Sequence, residues 1–388
     1  MKILLYKWGS FSEKTLTEAL ERLGIEYDTY DRECKDYHAD AEFADGFLAK
    51  LHSSKCDAVI TFDYFPIISM LCEINNIPYY SWIYDCPMNT ILSLTSKNKC
   101  NRIMCFDRNQ ANLLNSYGID NAIHFPLWAD PGMMDYVSSA PMALRNRYAC
   151  DISFIGNFYN GGNNRIRSAV MNGRFDDYSH GYVDAIVKFQ RIIFAGNSIK
   201  ESLTDDIVEK IVEACELTLD EKYIQDDLQK AAEAVGVEVS CREREETIEC
   251  IAKDYPINLY TSSKLGFDTG KLINKGFADN VKELPLIYNA SKINLNMTSA
   301  NITSGIPLRV LDILSCGGFC LTNYRDEIAE YFVDGEDLVI YYDLNDLKEK
   351  IAFYLANDDI RTKIAENGHK KAIAEFNIDD RLKEMFSL

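Results

Sequence analysis

Residues 293–325, INLNMTSANITSGIPLRVLDILSCGGFCLTNYR, constrain the fold more tightly than any other stretch of this chain. Residues 293–297 form a short extended run. Residues 298–305 follow with hydroxyl side chains and a glycine, as a loop requires. Pro307 has its φ preset for a first helical turn and no N–H to lose there. Val310, Leu311 and Leu314 then share one helical face, and Cys316-Gly317-Gly318 stops the helix. Residues 319–322 begin another strand. Strand, loop, helix and strand in this order build parallel sheets, so the fold class is α/β.

The chemistry of this unit lies at the helix start, expected at Gly305. Free N–H groups and the helix dipole make that end a site for an anion. Arg309 falls in the first turn, and Asp312, three residues on, lies on the same face. A cation there opposes the dipole, and a bound phosphate would offset that cost. A carboxylate one turn deeper can accept hydrogen bonds from a ribose diol. The same two residues also read as an ion pair on a solvated face.

Length and charge bound the rest. At 388 residues, 47% of them hydrophobic, the chain suits two domains with a core each. No apolar run reaches the roughly 18 residues of a membrane span. The opening MKILLYKWGS reads as a first strand, not a secretory signal, so the expected location is cytoplasmic. Twelve cysteines without a C-x-x-C pair or zinc spacing read as reduced thiols. Net charge is −19, which argues against a nucleic-acid partner. Residues 176–254 hold 20 acidic and nine basic side chains, so most of the acidity belongs to one segment.

The first 130 residues read as a domain of alternating strands and helices, with strands near 2–7, 26–30, 57–62 and 101–106. Its first turn, Trp8-Gly9-Ser10, has one glycine where a dinucleotide fingerprint needs three. The strand ends supply ligand-binding candidates: Trp8, Asp63, Trp82, Tyr84, Asp107 and His124. Asp85 is a further titratable candidate there, with Trp82 and Tyr84 as an aromatic wall beside it. Residues 131–150 read as a linker. A second domain spans 151–375, opening with a strand and the turn at Gly156 and Asn157, where backbone N–H groups can approach a phosphate. Lys264 after a later strand reads either as a diphosphate contact or as a surface lysine. Between about 176 and 255 apolar residues recur at helical spacing in four stretches, 182–194, 207–217, 228–235 and 248–251. This acidic helical insertion is either a solvated cap or a surface for a partner or acceptor. Residues 376–388 form a terminal segment.

Arg309-Val310-Leu311-Asp312-Ile313-Leu314-Ser315-Cys316-Gly317-Gly318 resembles the C-terminal motif of the CgeB-like group of GT-B-fold glycosyltransferases. Asp312 falls on that group's ribose-binding glutamate, shortened by one methylene. Ser304 stands where the broader retaining families carry a second glutamate. Phe65-Pro66, Ser81-Trp82-Ile83-Tyr84-Asp85-Cys86-Pro87 and Phe106-Asp107-Arg108 resemble the domain that precedes CgeB-like transferase domains. The resemblance implies two Rossmann-like domains facing a cleft and a terminal segment that crosses back to the first. It also implies a donor nucleotide facing Gly156.

The reading is a glycosyltransferase that moves a sugar from a nucleotide-sugar donor to a hydroxyl of a glycan or protein. Arg309 and Asp85 carry the catalytic roles. The donor-binding set is Gly156, Asn157, Lys264, Ser304, Gly305, Arg309 and Asp312. No D-x-D is present, so the expectation is a metal-independent reaction without a cofactor. Protein cations and a helix dipole would stabilise the leaving diphosphate. Two alternatives stand beside it: a non-catalytic GT-B-like binding or surface-layer assembly protein, and a nucleotide-sugar epimerase or hydrolase.

Overall fold

The computed structural model describes residues 1–192, 196–218, 220–224 and 226–387. They divide into two compact units, one of residues 1–128, 220–224 and 376–387, the other of residues 129–218 and 226–375. The first unit holds strands β1 (Lys2–Tyr6), β2 (Glu26–Tyr30), β3 (Ala58–Phe62), β4 (Tyr79–Ile83), β5 (Asn101–Cys105) and β6 (Ala122–His124). The second holds β7 (Cys150–Ile155), β8 (Ile257–Tyr260), β9 (Leu272–Asn274), β10 (Ser291–Asn296), β11 (Cys320–Asn323) and β12 (Val339–Tyr341).

Each unit is a six-stranded sheet, in the orders β2-β1-β3-β4-β5-β6 and β12-β11-β10-β7-β8-β9, and every named pairing is parallel. Central strands of such sheets are covered on both faces and read as unbroken apolar runs. The all-buried sequence AVITF of β3 is the plainest case. The two orders reverse at different places. The first sheet switches direction between β1 and β3, the second between β7 and β10. Ligands of open α/β sheets bind beyond the carboxyl ends of the strands at such a switch.

The helix inside the opening motif is Leu308–Ser315. It starts three residues later than Gly305, with Pro307 extended at its N-cap, because the loop before it is tied down by side chains described below. Gly317 ends it at φ +67, and a Cβ on Gly318 would stand 2.6 Å from the Tyr288 carbonyl oxygen. The first glycine thus serves the turn and the second the close packing.

Four expectations change. The insertion carries the helices Asp177–Gln190, Asp205–Cys215 and Asp227–Asp254. The last, of 28 residues, joins what the sequence reads as two stretches. Its polar middle stays helical because Glu238, Ser240, Cys241 and Arg244 are buried along it. Positions 193–194, the end of the first expected stretch, lie outside the described residues. Residues 220–224 belong to the first unit, where Leu94 N–H donates to Lys222 O (2.9 Å) and Ile224 N–H to Leu92 O (2.7 Å). Residues 131–150 are no free linker. They form the helices Pro131–Ser139 and Met142–Arg145, and Val137 and Ala140 pack on Leu286. The short strand β9 has no counterpart in the sequence reading. The last helix, Ile378–Phe386, counts with the first unit, and Arg22 there binds both carboxylate oxygens of Asp379.

Candidate functional site

In the second unit the switch lies between β7 and β10. Gly156 ends β7, and its missing side chain leaves room for two guanidinium groups. A Cβ placed there would stand 3.6 Å from Nη1 of both Arg244 and Arg309, and 3.3 Å from the Phe154 ring. Arg309 comes from the first turn of the helix Leu308–Ser315, as the sequence requires. Arg244 comes from the middle of the helix Asp227–Asp254. It is only 3% exposed, donates to the carbonyl oxygens of Asn157 and Met297, and lies 4.5 Å over the Tyr159 ring. Burial pulls its pKa down, and the neighbouring Arg309 adds to that. Two cations held this close attract an anion between them more strongly than either alone.

Asp312 lies one turn along. Its carboxyl is pushed up to about 7 by burial and by the nearby Asp130 charge, against the pull of Arg309. Among the described residues, no ion pair within 4.0 Å joins Arg309 to Asp312, and no side-chain hydrogen bond to the Asp312 carboxylate is formed. The solvated ion-pair reading of these residues therefore fails. A half-buried carboxylate that no protein donor satisfies is set for a hydroxyl ligand.

The loop 298–305 is fixed from behind. Arg325 donates to the carbonyl oxygens of Ile302 (2.7 Å), Thr298 (3.0 Å) and Ser299 (3.0 Å). Asn323 Oδ1 accepts from Thr298 N–H at 2.8 Å, and Ser240 Oγ from Ala300 N–H at 2.9 Å. Ser304 and Gly305 are both buried. Ser304 Oγ donates to Glu327 Oε1 at 2.7 Å, so its hydroxyl is turned to a wholly buried carboxylate. Asn157 holds its own turn, accepting from Tyr159 N–H and from Ser263 Oγ. Lys264 is exposed and contributes its carbonyl oxygen, which accepts from Asn160 Nδ2 at 2.8 Å. Arg244 and Glu327 are the residues that sequence reasoning missed. Arg244 sits in the charged run CREREETIEC, which reads as a solvated face.

In the first unit, Asp63 leaves β3 at φ +58, a left-handed conformation uncommon outside glycine. Strain of this kind points to a function when other bonds over-determine it. Here Asp63 is 2% exposed, and its Oδ1 accepts from the N–H groups of Tyr84 (3.2 Å) and Asp85 (3.3 Å). Burial and the Asp85 charge push Asp63 up to about 7, and desolvation raises Asp85 as well. The two acids titrate as a pair. Beside them Tyr84 stacks on Trp8 with centroids 6.4 Å apart, and its hydroxyl lies 3.0 Å from Ser10 Oγ.

Three acceptor-side candidates do not join this group. Trp82 is fully buried, with its ring 4.4 Å from Trp128 and 5.5 Å from Phe125, so the stacking wall is Trp8 and Tyr84 without Trp82. Asp107 caps the helix Arg108–Ser116 by accepting from Gln110 N–H at 3.1 Å. His124 ends the edge strand β6, with β5 between it and β4.

Residues 242–387 match the family model described as glycosyl transferase-like. No curated protein matches the sequence. Among solved structures, the chain is similar over its whole length to sucrose-phosphate synthase from Thermosynechococcus elongatus, at 11% identity, TM-score 0.54 and 98% of that chain. It is similar to Anabaena HepE, crystallised in complex with UDP and glucose, at 11% identity, TM-score 0.53 and 99% of that chain. It is similar to T4 phage BGT in complex with its UDP-glucose substrate, at 11% identity, TM-score 0.52 and 100% of that chain. The chain has the GT-B fold of glycosyltransferases, and its residues 242–387 match the glycosyl transferase-like family.

Proposed function

We propose that the protein is a glycosyltransferase that takes its sugar from a nucleoside diphosphate sugar. The observation that carries this reading is the pair of guanidinium groups at Gly156, with the unsatisfied carboxylate of Asp312 one helical turn away. Arg244 and Arg309 bind the diphosphate, and Asp312 takes the ribose diol. The turn at Gly156 and Asn157 lets the donor approach the backbone. Ser304 and Gly305 shape the entry to the helix, and Lys264 lends charge at the rim. UDP is the first nucleotide to test, since HepE and T4 phage BGT were crystallised with UDP or its glucose conjugate.

In the transfer, the acceptor oxygen bonds to the anomeric carbon and the bond from that carbon to the diphosphate breaks. The acceptor proton passes to Asp85 if the route is inverting. The leaving diphosphate gains charge, which the two arginines stabilise more in the transition state than in the bound donor. Two fixed protein cations support a reaction without a metal. The motif from Arg309 to Gly318 supports assignment to the CgeB-like group. Twelve free thiols support a cytoplasmic enzyme. The acceptor is a glycan or protein hydroxyl, and the helical insertion is a surface for its recognition.

The test is a calorimetric titration with UDP, followed by an assay for UDP release from UDP-glucose and other UDP-sugars with and without saccharide acceptors. Binding that Arg309→Ala weakens, with release that depends on acceptor, is expected. Equal binding in both forms, or release without acceptor, overturns the transferase reading.

A further inference from the structure

A cavity of about 550 Å³ opens in the first unit at the carboxyl ends of β1, β2 and β3. This is the switch point of the first sheet, the same topological position that holds the arginine pair in the second. Its walls are aromatic. Phe65 is 4% exposed, and the rings of Tyr6 (5.0 Å), Tyr37 (5.3 Å) and Trp8 (6.3 Å) surround it. Trp8 is 37% exposed, yet its Nε1 donates to Phe62 O at 2.9 Å, so the indole presents a fixed face to solvent. Glu13 pins the turn beneath it, accepting from the N–H groups of Gly9 (2.8 Å) and Ser10 (2.9 Å).

The polar groups are acidic. Asp31 and Glu33, just past β2, line the cavity and are exposed. Among the described residues neither has a side-chain hydrogen bond or ion pair. Lys7 is the single cation against the three carboxylates of the lining. A fixed aromatic platform with free carboxylate acceptors suits a pyranose, whose C–H face stacks while its hydroxyls donate. The charge balance repels an anionic sugar.

We propose that this cavity binds an uncharged saccharide and discriminates against phosphorylated and uronic-acid sugars. Its role as the acceptor site rests on the glycosyltransferase reading; the binding itself does not. Asp31 and Glu33 set the charge selectivity, and Trp8 is the platform.

The chain has three tryptophans, and Trp82 and Trp128 are 0% and 2% exposed. Fluorescence quenching by acrylamide therefore reports chiefly on Trp8. The probes are the methyl glycosides of glucose, galactose, mannose and N-acetylglucosamine, their β-linked disaccharides, and the matching 6-phosphates and uronates. At least one uncharged member should shield the Trp8 emission. Its charged counterpart should bind about tenfold more weakly or worse, the size expected of a like-charge mismatch. Asp31→Asn with Glu33→Gln, both exposed and therefore tolerant of change, should close that gap. Trp8→Ala, followed by calorimetry, should abolish binding. Shielding by no member of the panel overturns the proposal. So does equal binding of charged and uncharged members, or a gap unchanged in the double variant. UDP titrated separately tells the two failures apart. UDP binding without saccharide binding removes this site alone, whereas loss of both removes the transferase reading too.

Discussion

The two switch points are built by the same rule and carry opposite charge. The second sheet brings two guanidinium groups to one glycine. The first brings carboxylates and aromatic rings to a cavity and, beside it, a pair of acids at Asp63 and Asp85. Topology fixes where a ligand can sit, while the loops after the strands fix what that ligand is. On the reading proposed above, one sheet would hold the anion that leaves and the other the neutral group that attacks.

The largest effect expected from separating the two comes from Asp85→Asn. Turnover should fall by about 10²-fold or more, the usual share of a general base, while UDP affinity stays within error. Full activity in that variant would leave the first switch point a binding surface without chemistry. Arg309→Ala should weaken nucleotide binding and slow turnover as well. Calorimetry with UDP should show a loss on the order of 1.5–3 kcal/mol, and saccharide shielding of Trp8 should not change.

Smaller effects should follow pH. Asp63 lies close to Asp85, so Asp63→Asn removes a neighbouring negative charge. The rising limb of the kcat/KM profile should then move to lower pH, and an unmoved limb would show that the acids do not interact. Asp312 has a folded pKa raised to about 7, above its unfolded value. Its contribution to stability is then complete below the unfolded pKa and is lost as pH rises through 7. Without nucleotide, the melting temperature of Asp312→Asn should decline less between pH 5 and 8 than that of the unaltered chain. Parallel curves would place Asp312 in solvent. The same variant should bind uridine as well as UDP more weakly.

The strand–helix–strand core of the second unit was legible because its signals are local. Pro307, the face of Val310, Leu311 and Leu314, and the two glycines all lie within a dozen residues. Arg309 and Asp312 could be picked out for the same reason. Arg244 could not, because its partners at Asn157, Tyr159 and Met297 lie 53–87 residues away. Trp82 misled in the opposite sense. Alternation puts it on the same side of β4 as Tyr84, yet Trp128 covers one ring and leaves the other near solvent. Asp107 shows that an aspartate after a strand reads alike whether it caps a helix or awaits a ligand. The long helix Asp227–Asp254 was split in the reading because its buried polar residues break the apolar period.

The first unit is assembled from three separate pieces of chain, residues 1–128, 220–224 and 376–387. During synthesis its first sheet leaves the ribosome early. The segment carrying Tyr223, whose hydroxyl lies 3.0 Å from His38 Nε2, is made 185 residues after its partner. The helix that puts Phe386 against Tyr80 and Asp379 against Arg22 is made later still, the latter contact spanning 357 residues. Domains usually fold as units from the amino terminus, but here this unit stays open along these faces until residues 376–387 have been made. Contacts of such sequence separation also slow folding. A fragment ending at residue 128 should therefore expose Tyr80 and the Leu92–Leu94 backbone, and should aggregate more readily than the whole chain.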